Sequence, residues 1–181
     1  MQKNSRISKL KKQVDLKHMF RHACAFVDCA ESCELEPTHI NRRTASHLTA
    51  DMVNSGLACE IYLKALLVHH GIDLENLKRI HELQDLWNKY NDEDKKSAME
   101  IREFINRQWF CSNNEPFGEL LAESSRAFVN WRYIYEFDSV DIHYHFLRGF
   151  RVALRDVCCQ KIYGKSWEDY VKLEQGKAEI L

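Results

Sequence analysis

Apolar positions along this chain repeat with the 3.6-residue period of helices and hardly anywhere with the alternation of strands. Over residues 15–34, Leu16, Phe20, Ala23, Val27 and Ala30 share one face at about 100° per residue. Pro37 and Thr38 break that pattern, and a second helix is predicted from about 38 to 70, with Gly71 in the usual C-terminal position. The second half of this helix is apolar almost all round, through Leu57, Ala58, Ile61, Tyr62, Leu63, Ala65, Leu66, Leu67 and Val68. A helix apolar on every side is packed on every side, so this one is predicted to be central. A shorter helix is predicted over 81–90. Asn91 or Asp92 can cap the next, which carries Met99, Ile101, Phe104 and Ile105. Beyond a polar loop at 111–115, Pro116 suits the first turn of a helix bearing Leu120, Leu121, Phe128, Trp131 and Tyr135. A last long helix holds Phe146, Phe150, Ala153 and Val157 at core spacing. Ser166 followed by Asp169 is a capping-box pattern for a short terminal helix. The expected fold is an all-α bundle of about six helices.

Composition narrows this further. With 181 residues, 45% hydrophobic and 29% charged, the chain suits one ordinary core. Six Gly and two Pro leave little material for the turns of a β-sandwich. Residues 1–181 therefore read as one helical domain, with 1–12 a basic flexible arm and 164–181 a C-terminal extension. A net charge of −1 supplies no global field toward nucleic acid, so any attraction must be local. One local patch is Lys3, Arg6, Lys9, Lys11, Lys12 and Lys17, for which a solvated arm is the simpler reading. The same segment lacks the apolar region of a secretory signal, and no apolar run reaches the ~20 residues that cross a bilayer. Seven cysteines without a regular framework then read as thiols, which places the chain in the cytoplasm with no membrane partner.

Several groups of residues carry candidate chemistry. His18, His22, Cys29 and Cys33 fall in a narrow arc opposite the apolar face of the first helix. His18 and Cys29 lie ~16 Å apart along a helix, so the four cannot share an ion within one chain. Each i,i+4 pair could hold half a site only with ligands from elsewhere. No metal and no cofactor is expected, and this stripe reads as a second packing surface, with a contact between subunits one use for it. Asp141, His143 and His145 are discounted, because on a helix the two imidazoles point ~200° apart. Glu60 and Lys64 stand i,i+4, acid first, as a structural ion pair. Tyr144, Arg148, Arg151 and Arg155 line up on the last long helix as a nucleic-acid-binding row, against the alternative of a solvated face. The segment SSRAFVNWRYIYE, residues 124–136, sets Arg126, Arg132 and Glu136 among four aromatics and supports a structural network and a functional site equally.

The stretch LACEIYLKALLVHHG, residues 57–71, followed by His81, Leu83 and Leu86, resembles the signature of HEPN domains, and SRAFVNWRYIYE is similar to a later helix in a bacterial subgroup. The resemblance spans about residues 18–155. It implies a HEPN-like helical bundle that dimerises. Members act as ribonucleases in toxin–antitoxin or phage-defence systems, or as non-catalytic binding and scaffold modules. Active members carry an Arg, four to six residues, and a His, where Arg holds the scissile phosphate and His is the general acid or base. Neither Arg126 nor Arg132 has a His at that spacing. Arg42 and His47 match it on the second helix, at the rate chance allows. A metal-independent endoribonuclease would have to use His81, Arg126, Arg132 and Glu136 as catalytic groups. The expectation is an RNA- or nucleotide-binding homodimer of this kind, with an antitoxin as one type of protein partner. The alternative is a non-catalytic protein-interaction module.

Overall fold

The computed structural model describes residues 14–34, 43–109, 117–125 and 144–178. Every regular element among them is an α-helix: α1 (Leu16–Glu34), α2 (Arg43–His69), the single turn α3 (Leu74–Leu77), α4 (Leu83–Glu93), α5 (Lys95–Trp109), α6 (Phe117–Ser124), α7 (Tyr144–Tyr163) and α8 (Trp167–Ala178). The all-α architecture read from the periodicity is the one observed.

The core follows the predicted stripes. Phe20, Ala23, Val27 and Ala30 of α1 are fully buried. So are Ala58, Cys59, Tyr62, Leu63, Ala65, Leu66 and Leu67 of α2, which packs against α1, α4 and α7 and is the central helix. From α7, Phe146, Leu147, Phe150, Leu154 and Cys158 are fully buried, and α7 is shared by α2 and α5. Phe117, Phe146, Phe150 and Trp87 form a chain of ring contacts with centroids 4.9–5.6 Å apart, joining α4, α6 and α7. Each such ring contributes about 1.5–3 kcal/mol through burial.

Local chemistry sets the helix ends. Asp15 accepts from the His18 N–H at 3.1 Å and caps α1. Gly71, at φ +92°, closes α2 in a Schellman motif: its N–H reaches the Val68 carbonyl at 2.9 Å and the Ile72 N–H reaches Leu67 at 3.1 Å. Ser166 Oγ accepts from the Asp169 N–H at 3.2 Å at the start of α8, as the capping pattern predicts.

Two details differ from expectation. Asp94, not Asn91 or Asp92, caps α5, accepting from the Ser97 N–H at 3.1 Å, so α4 runs on to Glu93. Met99 is 56% exposed, because Ala98, Ile101 and Ile105 are the positions of α5 in phase with the core. The start of the second helix at 38, the basic arm at 1–12, and Phe128, Trp131 and Tyr135 lie outside the described residues. No helix among the described residues is long and apolar enough to cross a membrane.

Candidate functional site

A polar convergence that runs from the interior to the surface lies where α2 meets the entry of α4. Glu60, on the central helix, is buried to within 9% of its side-chain surface. Its Oε1 accepts from the Lys64 ammonium at 2.7 Å, one helical turn on, so the pair expected from the i,i+4 spacing is present. The same oxygen faces His81 Nδ1 at 3.1 Å, and His81 is 52% exposed. Glu60 Oε2 is buried and has no hydrogen-bond partner among the described residues. One carboxylate thus links a buried ammonium to an imidazole at the surface.

The next residues are tied to the segment after α6. Glu82, at the start of α4, makes no side-chain cap. Ser125 caps the helix from outside: its carbonyl accepts from the Leu83 N–H at 3.0 Å and its Oγ from the Gln84 N–H at 2.9 Å. Ser124 and Ser125 are buried there, at 5% and 4% exposure. The fold therefore sets the first residues of SSRAFVNWRYIYE two to three positions from His81. Arg126, Arg132 and Glu136 lie outside the described residues. Only Ser125 could have revealed this junction in the sequence, and a serine so far from the helix it caps gives no local signal.

The arginine row on the last long helix is corrected in part. Arg151 is 1% exposed, and its Nη1 donates to Asp51 Oδ1 at 2.7 Å and to Ser55 Oγ. Residue 151 belongs to the stripe of Leu147, Leu154 and Cys158, which faces the interior, so its guanidinium is engaged inside the bundle. The overlooked signal was Asp51 and Ser55, an i,i+4 pair on α2. Arg155 stacks on Trp167 at 4.3 Å and faces Glu31 at 3.5 Å. Arg148 and Tyr144 are half-buried, and the Tyr144 ring meets His145 edge-on at 5.4 Å.

A third cluster ties the far end of α2 to α7. Asp94 Oδ2 lies 2.8 Å from the Lys161 ammonium and 3.4 Å from His70 Nε2. Burial alone raises its carboxyl, but Lys161 and the N–H and hydroxyl of Ser97 outweigh that and hold it at about 2. The folded value is lowered, so this stability is present above the unfolded value of 3.8 and is lost as pH falls from there through about 2. Asp94→Ala is expected to cost about 1–2 kcal/mol at neutral pH, the range for a lost cap. Its deficit against wild type should close as pH approaches 2, read from urea midpoints across that range. A deficit constant with pH would refute the role of the charge.

Burial holds the cysteine thiols inside the bundle in their neutral form. Burial raises Cys24 and Cys159 to about 11 and pushes Cys59 and Cys158 up as well. Cys24 Sγ lies 3.2 Å from the Tyr62 hydroxyl. No three His, Cys, Asp or Glu side chains converge for a metal among the described residues. A groove of about 590 Å³ between α5, α7 and α8, with Arg155, Asp156 and Trp167 in its wall, contains none of Glu60, Lys64 and His81. Comparisons with family models, curated proteins and solved structures gave no match.

Proposed function

We propose that this chain is a HEPN-like helical protein that binds RNA or nucleotide, of the ribonuclease-type toxin or phage-defence class, with Glu60, Lys64 and His81 at its working end. The supporting observation is the unequal use of the Glu60 carboxylate. The large majority of buried side-chain polar atoms have a hydrogen-bond partner, so a buried carboxylate oxygen without one is a candidate contact for a further group. Here Oε1 holds both the Lys64 ammonium and the His81 imidazole, and Oε2 holds neither of them nor any other partner among the described residues.

A carboxylate at Nδ1 favours the tautomer with its proton there, which makes Nε2 the basic nitrogen. In a metal-independent cleavage, Nε2 of His81 takes the proton of a ribose 2′-hydroxyl while that oxygen attacks the adjacent phosphorus. The 5′-oxygen leaves with a proton taken from water, and a 2′,3′-cyclic phosphate remains. Arg126 and Arg132, which follow Ser125 in the sequence, are the candidates for holding the phosphate in place of the missing Arg-x-His arrangement.

The internal engagement of Arg151 and Arg155 favours the second reading, a non-catalytic protein-interaction module, because it removes two cations from the expected nucleic-acid row. The two readings part in one experiment. The purified protein is incubated with total RNA, with and without Mg²⁺, beside His81→Ala. Cleavage or retention of RNA by wild type is expected, with cleavage reduced about 100-fold or more in the variant, as for loss of a general acid or base. Intact, unretained RNA under every condition would overturn the RNA reading and leave the interaction module as the reading to pursue.

A further inference from the structure

The outer face of α1 carries four soft metal ligands that the Glu60 site does not use. His18, His22 and Cys29 are exposed and Cys33 is half-buried. His18 and His22 lie side by side, with ring centroids 6.2 Å apart and planes 27° from parallel. At ~100° per residue all four fall within an arc of about 60°. Each i,i+4 pair has the spacing to grip one side of an ion, but the two pairs lie too far apart along one helix to share it.

Their order along the helix is symmetric about a point between Ala25 and Phe26. His22 and Cys29 lie equally far from that point, and so do His18 and Cys33. A two-fold axis there lays α1 antiparallel on a second α1, setting His22 of one copy opposite Cys29 of the other and His18 opposite Cys33. Ala25, exposed beside the arc and next to the symmetry point, has the smallest chiral side chain and permits helices to approach at the ~8–10 Å of ordinary packing. Arg21 and Asp28 are exposed on one flank of the same face, and an antiparallel pair brings Arg21 of each copy alongside Asp28 of the other.

We propose that a second copy of this chain completes the site: two α1 helices pair antiparallel, and each of two equivalent Zn²⁺ ions is held by His18 and His22 of one copy and Cys29 and Cys33 of the other. Two imidazoles and two thiolates are a tetrahedral zinc set. Both thiols release their protons on binding, so the charge of each ion is balanced and the site can be covered at an interface. The two ions lie ~16 Å apart, eleven residues of helix rise. This inference is independent of the RNA reading.

The test uses the full chain, reduced and stripped of metal. Zinc is expected to convert a 21.4 kDa monomer to a dimer at one ion per chain, by light scattering and elemental analysis. Cobalt in its place should show thiolate charge-transfer absorption with intense tetrahedral bands. His18→Ala with His22→Ala, and separately Cys29→Ser with Cys33→Ser, should each abolish dimerisation by zinc, and none of the four residues belongs to the buried core. Mixing the two variants in equal amounts restores one complete site per heterodimer, half the zinc of wild type, because intact histidines of one copy then face intact cysteines of the other. Zinc held by a monomer, a mixture that stays monomeric, or a mass that does not respond to zinc would each overturn the proposal.

Discussion

Arg151→Ala is expected to be the most damaging single substitution in the molecule, lowering stability by about 3–5 kcal/mol. The guanidinium is 1% exposed and joins α7 to Asp51 and Ser55 of α2, themselves 3% and 2% exposed. Truncation leaves the Asp51 carboxylate inside the bundle without its cation and opens a cavity of nearly a whole arginine. For a chain of this size the melting temperature should fall by about 10 °C. Arg151→Met combined with Asp51→Leu should recover most of that loss, since an apolar pair of similar volume removes the desolvation cost together with the attraction. A melting temperature for Arg151→Ala within a degree or two of wild type would show that this network does not hold α2 against α7.

Glu60 and Lys64 should behave in the opposite way in function and alike in stability. Lys64→Ala strands a carboxylate that is 91% buried and should cost about 3 kcal/mol, at the low end for breaking a buried pair, because His81 still faces Oε1. The double replacement Glu60→Leu, Lys64→Met removes both charges from sites of 9% side-chain exposure and should restore stability to near wild type or above it. If the pair only supports the fold, the double variant keeps every property of the parent. On the proposed function it folds and melts normally but loses RNA binding or cleavage, because His81 has lost the carboxylate that orients it. A double variant that is stable and still handles RNA as wild type does would reduce Glu60 and Lys64 to scaffolding. Melting and RNA retention, measured on the same preparations, separate the outcomes.

Much of the candidate chemistry depends on which helix faces which, and the sequence spoke unevenly about that. Within one helix it spoke clearly. Glu60 and Lys64 are one turn apart, so helical geometry alone brings them together, and the observed 2.7 Å contact needs no tertiary information. The same holds for the buried stripe of α1, the all-round burial of α2, the Gly71 terminus and the Ser166 cap, each of which depends on residues within about one helical turn.

The tertiary structure alone decided the contacts that join distant positions. His81 reaches Glu60 across 21 residues, Ser125 caps α4 across 41, and Arg151 reaches Asp51 across 100. Periodicity reports that a helix has a buried face but carries no term for its neighbour. An arginine aligned with Arg148 and Arg155 therefore read as surface until α7 was seen held between α2 and α5. The sequence by itself determined the helices, their core faces and the Glu60–Lys64 ion pair, which is made within a single helix. The packing of helices then determined which charges became structural and which histidine came to stand at the mouth of a buried carboxylate. The physical reason is range: hydrogen-bond ladders and side-chain phase are settled within a few residues, whereas burial of a charge is settled by whatever the rest of the chain lays over it.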